Sequence, residues 1–148
     1  MLETPRIVDA DEQLTAVVHF HVPRTEIVEA MGSGRMELIE VLARQGIEPI
    51  GPWFSRHHRM HPDYFDFEVG LPVGRAVAEE GRVRPGTLPA GRLALTVYHG
   101  SYEGLGAAWG DFVQWLDENG HQQAEELWEH YATGEDGQPA TVLCRPVK

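Results

Sequence analysis

The chain states one pattern twice, and few folds accommodate that. In the first half an apolar run, Ala16-Val17-Val18-His19-Phe20-His21, leads into an amphipathic segment from about Thr25 to Gln45. Gly51-Pro52-Trp53-Phe54-Ser55-Arg56-His57-His58 follows, and then Phe65-Asp66-Phe67-Glu68-Val69-Gly70-Leu71-Pro72-Val73. The second half runs from Leu93-Ala94-Leu95-Thr96-Val97-Tyr98-His99 through an amphipathic segment, Glu103 to Glu118. It continues with Leu127-Trp128-Glu129-His130-Tyr131 and ends on Ala140-Thr141-Val142-Leu143-Cys144-Arg145-Pro146-Val147. Each half reads strand, helix, strand, strand, and each closes on Pro-Val. Two copies are too few for a solenoid, whose units bury their faces only by stacking. The pattern instead predicts an α+β fold: tandem pseudo-twofold βαββ repeats forming one curved antiparallel sheet, with helices on one face. Such a pair leaves a natural ligand groove between the halves.

A chain of 148 residues fits one domain over residues 1–148, with repeat one at about 6–74 and repeat two at about 88–148. The stretch from Gly74 to Gly91 carries Glu79-Glu80-Gly81, Pro85-Gly86 and Pro89-Ala90-Gly91, which is turn chemistry, and is expected to connect the repeats. In the first amphipathic segment Ile27, Met31, Leu38, Ile39 and Leu42 form a stripe, but Gly32-Ser33-Gly34 interrupts it. A helical glycine costs about 1 kcal/mol, so a break is expected there, with Ser33 as N-cap. In the second segment Leu105, Ala108, Trp109, Phe112, Val113 and Leu116 recur at helical spacing, and Gly120 supplies the stop.

Composition narrows the function. The net charge is −11, from 12 Lys+Arg against 23 Asp+Glu, the reverse of a nucleic-acid footprint. No apolar run approaches the ~18 residues of a membrane span. Met1-Leu2-Glu3-Thr4-Pro5 has neither a basic start nor an apolar h-region, and the single cysteine, Cys144, cannot form an internal disulfide. A cytoplasmic protein without nucleic-acid or membrane partners is expected.

Strand alternation then picks out candidate side chains. Trp53, Ser55 and His57 share one strand face, and Leu127, Glu129 and Tyr131 share the matching face of the second half. A carboxylate among aromatic rings suits lipophilic cations: the rings supply area and cation–π attraction, the carboxylate the countercharge. Asp66, Glu68 and Gly70 share a face opposite Phe65, Phe67 and Val69; the apolar set should meet the helices and the acidic set a groove or solvent. Trp53, Tyr98 and Tyr131 are expected as groove walls on a face opposite the helices. His19 and His21 share one strand face, and His57-His58 with His61 form a cluster, but no cysteine accompanies them and no H-E-x-x-H pattern occurs, so neither a metal nor a cofactor is expected. Nucleophilic catalysis lacks a G-x-S-x-G elbow, and Cys144 lies on a terminal apolar strand.

These pieces resemble the GyrI-like small-molecule-binding domain family, which includes effector-binding domains of multidrug-responsive transcription regulators. The resemblance is carried by Pro89-Ala90-Gly91, Tyr98-His99-Gly100-Ser101-Tyr102, Trp109 with Trp115-Leu116, Trp128-Glu129-His130-Tyr131 and Arg145-Pro146-Val147. Gly51-Pro52-Trp53-Phe54 and Phe67-Glu68-Val69-Gly70-Leu71-Pro72-Val73 match in the first half. The resemblance implies a groove for hydrophobic, often cationic, aromatic compounds. It maps the family's key glutamate onto Glu129 and a second acidic position onto Glu68. His57 departs from the family, which often has tyrosine there; a titratable ring is expected to repel cations as pH falls around its reference pKa of ~6.5. The chain is expected to act as a stand-alone member, without a DNA-binding domain.

The expected ligand-binding set is Glu129, Tyr131, Trp53, Ser55, His57, Glu68 and Tyr98, with no catalytic residue assigned. Multidrug binding, for sequestration or sensing, is the first reading. The resemblance also admits a hydrolase that detoxifies cyclopropane-containing alkylating natural products in the same groove, using Glu129, Glu68 and Tyr131. A gyrase-interacting module is a third reading and haem binding a fourth. Further partners admitted are a homodimer copy and gyrase.

Overall fold

A computed structural model describes residues 1–148. Eight strands form one antiparallel sheet: β1 (Arg6–Ala10), β2 (Gln13–Pro23), β3 (Phe54–Met60), β4 (Tyr64–Pro72), β5 (Arg84–Leu88), β6 (Gly91–His99), β7 (Leu127–Thr133) and β8 (Pro139–Pro146). Two helices, α1 (Ile27–Gln45) and α2 (Leu105–Glu118), follow β2 and β6. The strand order is β1-β6-β8-β7-β3-β4-β2-β5. The halves meet at β3 and β7, where Ser55 lies opposite Glu129.

Two edge strands lie beyond the βαββ pattern. β1 precedes β2 in sequence yet pairs with β6, and β5 precedes β6 yet pairs with β2. Each half therefore lends a strand to the other. The connector expected between Gly74 and Gly91 thus contains β5, hidden by its Pro85-Gly86. Proline is tolerated there because an edge strand needs only one side of its ladder. The exchange also dictates the sheet's shape. Only Pro89 and Ala90 separate β5 from β6, although six strand positions part them in the sheet order. A flat sheet would hold them roughly 29 Å apart, and three Cα steps reach about 11 Å at most. The sheet must curl into a half-barrel. Inside the curl, Val17, Phe54, Leu88, Trp128 and Cys144 pack together, drawn from both halves.

Both helices cover the other face. α1 packs Ala30, Gly34, Leu38, Val41 and Leu42 against Val18, Phe20, Phe67 and Val69. α2 packs Ala108, Phe112 and Leu116 against Ala94, Leu143 and Val147. α1 is unbroken, contrary to the break expected at Gly32-Ser33-Gly34. Gly34 is a packing residue: a Cβ there would lie 2.7 Å from the Phe20 ring. Gly46 (φ 68°) and Gly120 (φ 72°) end the two helices in the left-handed region. No helix is long and apolar enough to cross a membrane.

Candidate functional site

The helices pack on opposite halves of the sheet and leave a cleft between them, over the β3–β7 seam. It is an open cavity of about 930 Å³, lined mainly by hydrophobic residues. Such a volume suits a drug-sized ligand. Its floor follows from strand alternation. Ser55 and His57 point into it from β3, Leu127, Glu129 and Tyr131 from β7, and Trp53 from just before β3. Ile27, Met31 and Gly32 form the α1 wall; Leu105, Gly106, Trp109, Gly110 and Val113 form the α2 wall. The groove thus shares the helices' face, and the expectation that its walls lie opposite the helices is corrected. Side chains facing away from the helices already fill the inside of the curl.

Glu129 sits at the centre of the floor. Its Oε2 is buried and has no hydrogen-bond partner. Burial raises its pKa above the usual carboxylate range, while the Trp109 indole N–H and the Tyr131 hydroxyl partly oppose the rise. Tyr131 is held on several sides. Its ring lies 4.7 Å from that of Trp53 and 6.1 Å, edge-on, from that of Tyr102. Its hydroxyl shares a hydrogen bond of 2.6 Å with Ser55 Oγ, and its backbone N–H donates to Trp53 O at 2.9 Å. Burial, followed by the neighbouring Glu129 charge, pushes the phenol pKa strongly up, so Tyr131 stays protonated.

His57 lies next along β3. It stacks on Phe67 at 5.2 Å and meets Phe65 edge-on at 5.6 Å. Its Nδ1 is buried without a partner. Burial, then the positive charge of Arg24, lowers its pKa to about 4. The ring is therefore neutral around neutral pH, and the charge change expected near ~6.5 falls in the acid range instead.

Two predicted ligand residues lie outside the cavity. Glu68 is on the opposite face of β4, 3.2 Å from His58 Nε2 and 3.9 Å from Arg56 Nη1. Its acidic alternation marks the face away from the helices, so it cannot join Glu129. Tyr98 packs in the α2 cluster, where its hydroxyl occupies the space a Cβ on Gly104 would need, 2.0 Å away. The histidine run also divides: His57 enters the cavity, while His58 faces Glu68 and His61 stacks on Tyr64 at 4.0 Å. Cys144 is buried within the curl, and burial pushes its thiol up to about 12.

Several lining residues were not expected. Trp109, Leu105 and Val113 read as core because they share the helical stripe; they occupy its flank and face the cleft. Gly32, Gly106 and Gly110 also line the cavity, and a Cβ on any of them would meet nothing within 4 Å. Packing therefore does not demand these glycines, yet each lowers helix propensity. Their i, i+4 spacing on α2, beside Trp109, was the available sequence signal.

The GyrI-like small molecule binding domain model matches residues 3–148. No curated protein matches the chain in sequence. Among solved structures, the EcmrR C-terminal domain is 19% identical with a TM-score of 0.78, covering 98% of this chain and 97% of that one. SAV2435, in a structure bound to tetraphenylphosphonium, is 9% identical with a TM-score of 0.69, covering 99% and 94%. A hydrolase from Listeria innocua is 10% identical with a TM-score of 0.61, covering 97% and 91%. At these identities the likeness is one of fold.

Proposed function

The chain belongs to the GyrI-like small-molecule-binding domain family, and on that premise we propose that it binds flat, hydrophobic aromatic compounds carrying a cationic group, in the cleft between α1 and α2. The observation that carries this reading is Glu129: a buried carboxylate with an unpartnered oxygen, set among Trp53, Trp109 and Tyr131 in a cavity of about 930 Å³. A buried polar atom without a partner costs free energy, and a ligand that approaches it recovers that cost. Glu129 supplies the countercharge, Trp53 and Tyr131 the aromatic walls, Ser55 the bond that orients Tyr131, and His57 a neutral floor. Glu68 and Tyr98 have no part in this reading. The hydrophobic cation bound by SAV2435 supports it by analogy of fold.

The protein acts as a sequestering or sensing module. Because shape and aromatic area dominate, several unrelated flat ligands should bind at micromolar affinity and exclude one another. Equilibrium titration with two fluorescent dyes tests this: competition supports one shared cleft, and independent additive binding contradicts it.

One observation favours a second reading. Glu129, with its raised pKa and free Oε2, faces the cavity beside the protonated hydroxyl of Tyr131. That pair could take a proton from water and donate one to a strained leaving group, as a hydrolase requires. Mass spectrometry of ligands recovered after incubation separates the readings: unchanged ligand supports binding alone, and a mass gain of one water supports hydrolysis.

A further inference from the structure

The charges in the cleft are not those of a simple cation trap. Although the chain as a whole is strongly acidic, Glu129 is the only carboxylate lining the cavity, whereas two arginines line it, Arg24 and Arg145. Neither arginine takes part in any of the protein's ion pairs. A lipophilic ligand carrying only positive charge would gain one attraction and meet two repulsions.

The strand register sorts these charges by position. Cavity-facing residues on β3 and β7 step by two, about 6.7 Å of strand. Trp53 with Tyr131 forms an aromatic row, Ser55 with Glu129 the next, and His57 with Leu127 the third. Arg145 adjoins Cys144, the partner of Trp128, and so stands beside Leu127 in that third row. Its Nε donates to Ala124 O at 3.0 Å, and burial lowers its pKa, opposed in part by the more distant charge of Asp117, which forms no ion pair with it. Arg24 caps the same end. Its guanidinium lies 4.1 Å over the Phe65 ring, which meets His57 edge-on, and it donates to His61 O. The cleft is therefore dipolar: aromatic and acidic along the rows of Trp53 and Glu129, basic at the row of His57 and Leu127.

We infer that the ligand is amphoteric: an aromatic compound whose cationic group meets Glu129 and whose carboxylate or equivalent anionic group lies over His57 and Leu127, between Arg24 and Arg145. The inference rests on the proposed binding role of this cleft and narrows its substrate class. Two guanidinium groups at one end match an anionic group because each offers forked N–H donors to its oxygens. His57, neutral at that end, adds no third positive charge.

A pair of dyes differing only in the anionic group tests it. Rhodamine 110 carries a free carboxylate, and rhodamine 123 is its methyl ester, a plain cation. Fluorescence anisotropy near pH 7 should show the full-length protein binding rhodamine 110 about tenfold more tightly. Arg24→Gln and Arg145→Gln should each shrink that preference while leaving rhodamine 123 as tight or tighter. Equal affinity for the two dyes, or preference for the ester, overturns the inference and leaves the cleft's binding role standing. A preference that survives both substitutions overturns the placement of the anionic group. Failure of both dyes to bind overturns the cleft reading itself. The wild-type comparison requires no variant to fold.

Discussion

Glycines at Gly32 and Gly110 face the cavity from opposite walls, and neither is needed for packing, since an added Cβ would meet open space. Both lie inside their helices, so each replacement by alanine should recover the helix-propensity cost, about 1 kcal/mol. For a chain of this size that is roughly 2–4 °C in Tm per site. The two residues sit on different helices, and their effects should add, to roughly 4–8 °C in the double variant. Leucine at either position should also stabilise, but its side chain enters the cleft and should weaken a flat dye by about tenfold or more. Thermal denaturation with and without dye reads both effects on the same samples. Stability gained together with affinity lost is the signature of space kept open for a ligand. If Gly110→Ala lowers Tm, the glycine serves packing and the reasoning fails. If Gly110→Leu is stable and binds dye like the wild type, the ligand lies elsewhere.

Other expectations concern glycine packing and pH. Gly34→Ala and Gly70→Ala should behave oppositely to the cavity glycines, because their Cβ atoms would lie 2.7 Å from Phe20 and 2.4 Å from Phe54. Each should lower stability by about 1–3 kcal/mol in urea denaturation, and unchanged midpoints would contradict the close packing. His57 has a folded pKa of about 4 against 6.5 unfolded, so the unfolded chain binds more protons between those values. Stability should therefore be full above pH 6.5 and decline by up to about 3 kcal/mol as pH falls toward 4. His57→Phe should flatten that decline, and identical pH profiles would show that His57 is not buried. The raised pKa of Glu129 means its charge is lost at a higher pH than for an exposed glutamate, so affinity for a permanent cation should fall as pH drops through that range. An affinity independent of pH in the acid range would count against Glu129 as the countercharge.

The repeat was legible because each half carries an apolar strand before an amphipathic helix, and period-two alternation correctly grouped Trp53, Ser55 and His57 with Glu129 and Tyr131. Alternation says which residues share a face but not what covers it. Glu68 and Glu129 both sit in aromatic-rich strands, and only the pairing of β3 with β7 places Glu129 over the cavity and Glu68 on the far face beside Arg56 and His58. Tyr98 was misplaced for the same reason: its face meets α2, and two glycines make room for its ring. β1 and β5 escaped notice because an edge strand five residues long, with Pro85 in one case, carries little pattern of its own. Arg24 and Arg145 carry no local mark as cavity residues. They reach the cleft through the turn before α1 and through the neighbouring strand β8.

The most direct test of the account is the charge of Glu129. Isothermal titration of the wild type and of Glu129→Gln with tetraphenylphosphonium, and with neutral triphenylphosphine oxide as control, isolates it. The substitution preserves shape, removes the charge and turns one acceptor oxygen into an amide donor. The account predicts that the cation weakens by about 1–3 kcal/mol, roughly 5- to 150-fold, while the neutral compound changes little. Equal affinity of the cation for the two proteins would contradict it.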